Sequence, residues 1–289
     1  MINTEIIKNI NDFVYSKPRS VDEIAKHINK NWRTANSYVE RIEKEQGTIS
    51  VKTFREGTRG ALKIVFWNNV ERIHSTNLQE KLFKKIEIAR RKWDFSPSEI
   101  VQYINEKKKR IILMNQKKYN SPENLDDFVR FLRQAQKQIL FFSGNLTFSN
   151  LSYHDKKIKE ILEELARRNV SIKVLTRVDL AGLDNIKNLL AINERLGKKI
   201  IEIRHCYQPL RTTIIDNKEI RFKETLKKED YAGDELKETT HLLYEVHDKE
   251  WIDWLQKVFW NLFSSSISAE ERIKHLKTIE KYDFSKQLS

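Results

Sequence analysis

Apolar and polar positions keep different rhythms along the chain, and the clearest lies over residues 31–47, NWRTANSYVERIEKEQG. Ala35, Tyr38, Val39 and Ile42 recur on one helical stripe, while Arg33, Thr34, Asn36, Ser37 and Arg41 fall on the opposite one. The outward face is therefore built from side chains that donate and accept hydrogen bonds, not from an indifferent coat of Glu and Lys. Gly47 ends this helix. Just upstream, SVDEIAKHINK predicts another helix: Ser20 caps it, Glu23 completes a capping box, and Val21, Ile24, Ala25 and Ile28 face inward. About three or four residues join the two helices, which is the spacing of a helix-turn-helix. TEIIKNINDFVY supplies a first helix before them.

After Gly47, Ile49 and Val51, then Leu62, Ile64 and Phe66, mark two alternating strands. Their tip, FREGTRG, carries Arg55 and Arg59 with Gly57 and Gly60, so it forms a basic hairpin, a wing. Residues 1–68 thus read as a winged helix-turn-helix domain. Its expected partner is double-stranded DNA. Arg33, Asn36, Ser37 and Arg41 would approach base edges or phosphates in the major groove, with Lys30 and Thr34 beside them. Lys52, Arg55, Arg59 and Lys63 of the hairpin would grip the adjacent backbone.

Residues 69–120 read as a basic helical linker. Leu78, Leu82, Ile86, Ala89 and Trp93 recur at steps of three and four, a stripe suited to a partner helix, either in this chain or in a second subunit. Ser96, Pro97, Ser98 and Glu99 signal a new helix start, and the pattern predicts helix through Ile100, Val101 and Ile104 into KKKR at 107–110. Ser121, Pro122 and Glu123 repeat that signal, which places a domain boundary near residue 121.

From there to residue 289 strands and helices alternate. LDDFVRFLRQAQK is helical, ILFFSG a buried strand, HDKKIKEILEELARRN a helix, SIKVLTRV a strand, LDNIKNLLAINERLG a helix and KIIEIRH a strand. TTIIDNKEIRF then makes a hairpin turning at Asp216, Asn217 and Lys218, HLLYEVHD a last strand, and KEWIDWLQKVFWNLFSS a long amphipathic helix. Such alternation predicts an α/β layered domain with ligands at the strand ends, and hence a multi-domain α/β chain.

Composition sharpens this picture in two respects. The net charge of +13 is unevenly spread, because residues 1–120 hold 25 Lys and Arg against 14 Asp and Glu, leaving 29 against 27 for the rest. A polyanion is the natural partner of that excess, since each neutralised phosphate releases condensed counterions. Cys206 is alone, so neither a disulfide framework nor a cysteine-based metal site is expected, and a reducing cytoplasm is. No run of 18 apolar residues occurs, and MINTEIIKNIND lacks a signal-peptide pattern, so no membrane partner is expected.

The order strand, helix, strand, helix, strand, then the hairpin IIDNKEIRF and a closing strand before an aromatic helix, resembles one half of a phospholipase D-like fold. That superfamily's signature is His-x-Lys, four residues, then Asp, with the His as nucleophile toward a phosphodiester and the Lys stabilising phosphate charge. Counting back from Asp216 puts Arg211 at the Lys position and Pro209 at the His position. Proline carries no nucleophile, so no phosphohistidine can form there and no catalytic residue is assigned. His205 is six residues from Arg211, about 20 Å along a continuous strand, and is not expected to stand in.

A winged helix, a linker helix and one catalytically degenerate phospholipase D-like unit resemble the TrmB type of archaeal transcriptional regulator, whose second domain senses sugars in some members. The resemblance implies a DNA-binding regulator with an effector domain, and a homodimer is expected; no sugar-binding motif of that family maps onto this chain residue by residue, and Arg177, His205, Arg211 and Asp216 are the candidate effector contacts. Arg211 would hold an anion or polyol with its planar fork and Asp216 would orient it, or the two form a structural ion pair. Glycine-rich phosphate loops, HExxH and GxSxG are all missing from the sequence, and no cofactor is expected. His241 and His247 flank a strand without an acidic companion to complete a metal site. A chromatin-type architectural protein and a phosphodiesterase or nuclease are the alternative readings.

Overall fold

The computed structural model describes residues 3–55, 61–67, 76–233 and 235–286. The chain forms two compact units, Met1–Glu80 with Asp253–Asn261, and Lys81–Ile252 with Leu262–Ser289.

The first unit holds α1 (Thr4–Ser16), β1 (Arg19–Ser20), α2 (Val21–His27), α3 (Trp32–Glu45), β2 (Ile49–Arg55) and β3 (Ala61–Trp67). Its three strands pair antiparallel in the order β1-β3-β2, with Arg19 opposite Val65 and Phe54 opposite Leu62. The predicted stripes meet in its core: Ile10 and Val14 of α1, Val21, Ile24 and Ala25 of α2, and Ala35, Val39 and Ile42 of α3 close on Ile49 and Val65. Burial of ~25 cal/mol per Å² of apolar surface makes this contact the main stabiliser of three short helices that would be marginal alone. Gly57, Arg59 and Gly60 of the expected wing tip, and the side chain of Arg55, lie outside the described residues.

The second unit begins within α4 (Asn77–Ile88), continues through the one-turn α5 (Ser98–Val101), and enters β4 (Lys109–Asn115) and α6 (Gln116–Tyr119). Then come α7 (Pro122–Arg133), β5 (Gln138–Phe142), a small hairpin of β6 (Ser152–Tyr153) and β7 (Lys156–Lys157), α8 (Ile158–Arg167), β8 (Ser171–Thr176), α9 (Leu183–Leu196) and β9 (Ile201–His205). The chain goes on through β10 (Thr212–Ile215), β11 (Glu219–Leu226), β12 (Thr240–Val246), α10 (Lys249–Ser265), β13 (Ile267–Ser268) and α11 (Ala269–Lys286). The middle of α10, Asp253–Asn261, groups with the first unit.

Eight strands form one mixed sheet in the order β13-β9-β8-β5-β10-β11-β12-β4. β5, β8 and β9 run parallel, joined through α8 and α9, and the other pairings are antiparallel. Inward residues of α7, α8 and α9, such as Leu132, Ile161, Leu165 and Leu189, pack on Ile139, Phe141, Ile172, Val174 and Ile203. Successive residues of β5 are all buried, as strands covered on both faces require.

The segment before residue 121 departs from its helical expectation. The helix opened at Ser98 ends after one turn, and the basic run leads into β4, whose Leu242-to-Leu113 and His241-to-Met114 pairings make it the sheet's edge strand. A short apolar run such as IILM has no decisive period, and strand pairing with β12 settles what periodicity leaves ambiguous. Trp93 also leaves its expected stripe: Leu82, Ile86 and Ala89 are buried, but Trp93 is 68% exposed. The Asp94 carboxylate accepts the N–H groups of Arg90 and Arg91, both at 2.8 Å, and so folds the chain into a tight turn beyond α4.

Candidate nucleic-acid interface and cation cluster

The helix pair is held by its caps. Ser20 accepts the Glu23 N–H at 3.1 Å while Glu23 accepts the Ser20 N–H at 2.7 Å, a reciprocal capping box at the start of α2. Asn29 takes a left-handed φ of 51° in the turn, a conformation asparagine tolerates better than most residues. Asn31 then caps α3 by accepting the Thr34 N–H at 2.8 Å. Gly47, at φ 65°, closes α3 with its N–H on the Ile42 carbonyl. These local bonds orient α3, whose apolar stripe is buried and whose opposite face is open.

On that face Arg33 and Ser37 are exposed, Thr34, Asn36 and Arg41 are half-buried, and Lys30 is exposed in the preceding turn. Asn36 is already engaged. Its amide donates to Glu40 at 3.0 Å and its carbonyl oxygen accepts from Lys63 of β3 at 2.8 Å, while Lys63 pairs with Glu40 at 2.7 Å. The Lys63 ammonium, and then the Asn36 amide, hold the Glu40 carboxyl below the usual carboxylate range. Lys63 also lies 5.9 Å from the ring of Trp32, which is partly exposed at the start of α3. Lys52 is exposed on β2, and Phe54 and Leu62 form an exposed cross-strand pair beyond it. Glu40 and Trp32 escaped the sequence reading. Glu40 was legible as an (i, i+4) partner of Asn36, but its bond to β3 was not.

A second cluster lies at the carboxyl edge of the parallel strands. Arg211 precedes β10, with its backbone carbonyl accepting from Lys223 of β11 at 2.8 Å. Its guanidinium rests against Gly144, just after β5, where an added Cβ would stand 2.6 Å from Nη2. Burial pushes Arg211 down to about 10, and the like charge of Arg177 adds to the shift. Arg177 follows β8 and pairs with Asp179 at 2.5 Å. Gln208 donates to the Ser143 carbonyl at 2.8 Å, which holds the same turn in place.

The other two expected effector contacts stand apart from Arg211. Asp216 stands at the far end of β10, at φ 49°, and accepts the N–H groups of Gln136, Lys137 and Gln138 at 2.7, 2.8 and 2.9 Å. It anchors the start of β5 and neither orients nor pairs with Arg211, because four strand residues separate them. His205 ends β9, on a different strand from Arg211 and about 14 Å away across three strand spacings. Its Nδ1 accepts the Val178 N–H at 2.9 Å, and burial, then the Arg272 cation, holds its pKa low. Among the described residues no group of His, Cys, Asp and Glu has the arrangement of a metal site. Among the described residues no helix is long and apolar enough to cross a membrane.

No family model and no curated protein matches the chain. Solved structures with some likeness include a phospholipase D family member, Nuc from Salmonella typhimurium, at 11% identity over 55% of this chain and 97% of that one, with a TM-score of 0.40. TrmBL2, described as an archaeal chromatin protein with a novel mode of DNA binding, shares 14% identity over 92% of this chain and 94% of its own, at 0.38. Phosphatidylserine synthase of Haemophilus influenzae Rd KW20 shares 11% over 62% of this chain and 47% of its own, at 0.36.

Proposed function

We propose that the chain is a sequence-specific DNA-binding transcriptional regulator of the TrmB type, acting as a homodimer. The observation that carries this reading is the α2–turn–α3 pair. Its caps and buried stripe fix the axis of α3, and the open face offers Arg33, Asn36, Ser37 and Arg41 in a spacing that fits a major groove. Lys52 and Lys63 on the following hairpin supply phosphate contacts beside it. The second unit is read as a non-catalytic, phospholipase D-like effector or dimerisation domain, because Pro209 stands where that fold's nucleophile would be.

One observation favours a chromatin-type architectural role instead. Asn36, the side chain best suited to read adenine, is held by Glu40 and Lys63, and the basic excess is larger over residues 68–120, with 13 Lys and Arg against 6 Asp and Glu, than over residues 1–67, with 12 against 8. Selection of bound duplexes from a random pool, followed by titration of the winner and of random DNA at several salt concentrations, separates the two. A regulator keeps a preference of about 10³ or more. Arg33→Ala is expected to relax that preference, whereas Lys52→Ala weakens all sequences alike. If neither substitution changes affinity, α3 is not the contact surface. Hydrolysis of a phosphodiester that vanishes in Arg211→Ala would instead support the enzyme reading.

A further inference from the structure

β4 closes one end of the eight-stranded sheet, and among the described residues no strand pairs with its outer edge. The His247 N–H donates to the Lys108 carbonyl at 2.9 Å, which makes those two residues, just outside the β4–β12 ladder, a hydrogen-bonded pair. Such pairs alternate along an antiparallel ladder, and this register runs without a bulge from Lys109 opposite Val246 to Asn115 opposite Thr240. Arg110, Ile112 and Met114 therefore turn their backbone N–H and C=O groups toward β12, while Lys109, Ile111, Leu113 and Asn115 turn theirs outward. The outward-turned centre is also apolar: Ile111 is 51% exposed and Leu113 67%, next to each other on one face of the sheet. An exposed edge is usually blunted by a proline, a bulge or a central charge, and the middle of β4, IILM, has none of these.

We propose that the outer edge of β4 is the dimer interface of this chain, pairing antiparallel with β4 of a second copy about a two-fold axis at Ile112. The strand is complementary to itself in that register. Ile112 meets its own counterpart, each Ile111 faces the other copy's Leu113, Arg110 faces Met114 and Lys109 faces Asn115, so all seven residues pair and no cation faces a cation. Outward-turned residues must meet outward-turned ones, so a slip moves the partner by two places. One slip sets Lys109 against Leu113, the other sets Ile111 against Asn115, and both lose pairs. The basic start of the strand does not oppose the union. Lys108 pairs with Asp248 at 3.1 Å, Lys109 with Glu106 at 2.7 Å and Arg110 with Glu245 at 3.7 Å, all within one chain. The two copies of Arg110 stand four residues, about 14 Å, apart along the seam. A foreign strand would have to bring apolar side chains at the same spacing, whereas a second copy brings them by symmetry. The contact uses the same edge of both copies, so it closes at two and does not grow. This interface rests on the homodimer reading above and is independent of DNA binding by α3.

Sedimentation equilibrium of the full chain without DNA should give twice the chain mass of 34.6 kDa. Ile111→Lys/Leu113→Lys sets lysines against each other across the seam and should weaken self-association by about tenfold or more. Both positions are exposed, and circular dichroism checks that the fold survives. In a Cys206→Ser background, Ile112→Cys should form an intersubunit disulfide under mild oxidation, because the two copies meet there as a non-hydrogen-bonded pair with Cα atoms about 4.5 Å apart. Leu113→Cys, two places removed from its own counterpart, should bridge far more slowly. A monomeric wild type would overturn the interface and the homodimer reading together. A lysine double variant that dimerises as the wild type does, or Leu113→Cys bridging as fast as Ile112→Cys, would overturn the interface and leave the homodimer standing.

Discussion

Glu40 shows how one side chain can set what its neighbours do. It sits on the open face of α3, where an acid repels a polyanion, yet it holds both Asn36 and Lys63. Free of Glu40, Lys63 would be available to a phosphate. Glu40→Gln is therefore expected to raise affinity for random duplex and to steepen the slope of log affinity against log salt by about 0.9, one more counterion released. Fluorescence anisotropy across a salt series measures this, and an unchanged slope would show that Lys63 does not reach DNA. On the sequence Glu40 looks like any solvated acid, because its partner Lys63 is 23 residues away.

At the scale of elements, most helices and strands were legible because their determinants are local, although α6 and α11 had no reading in the sequence. The Ser20–Glu23 box, the Asn31 cap, Gly47 and the stripes of α3 and α8 all act over a few residues. Elements defined by distant partners were harder to read. β4 becomes a strand by pairing with β12, more than 120 residues on, and the turn between β10 and β11 matters because Asp216 reaches back 78 to 80 residues to the start of β5. Asp216→Ala leaves three backbone donors without their acceptor. It should cost about 2–3 kcal/mol of stability, read from denaturant unfolding.

For the whole molecule, the distribution of charge and the count of subunits decide between regulator and coat. A two-fold dimer presenting two α3 helices should protect two half-sites about one helical turn, 10 bp, apart. A footprint that spreads continuously with protein concentration, without such a period, would favour the architectural reading. Local pattern alone determined the three-helix unit with its hairpin, the alternation of strands and helices beyond residue 121, and the absence of a histidine at position 209. Periodicity and capping are short-range, so they can be read from neighbours in the chain. Tertiary structure alone decided that β4 joins the sheet, that Asp216 serves β5, that Glu40 captures Lys63, and that the Arg211 guanidinium lies against Gly144. Each of these depends on bringing together residues that are far apart in sequence, and pairing and burial in the folded sheet settle which of them meet.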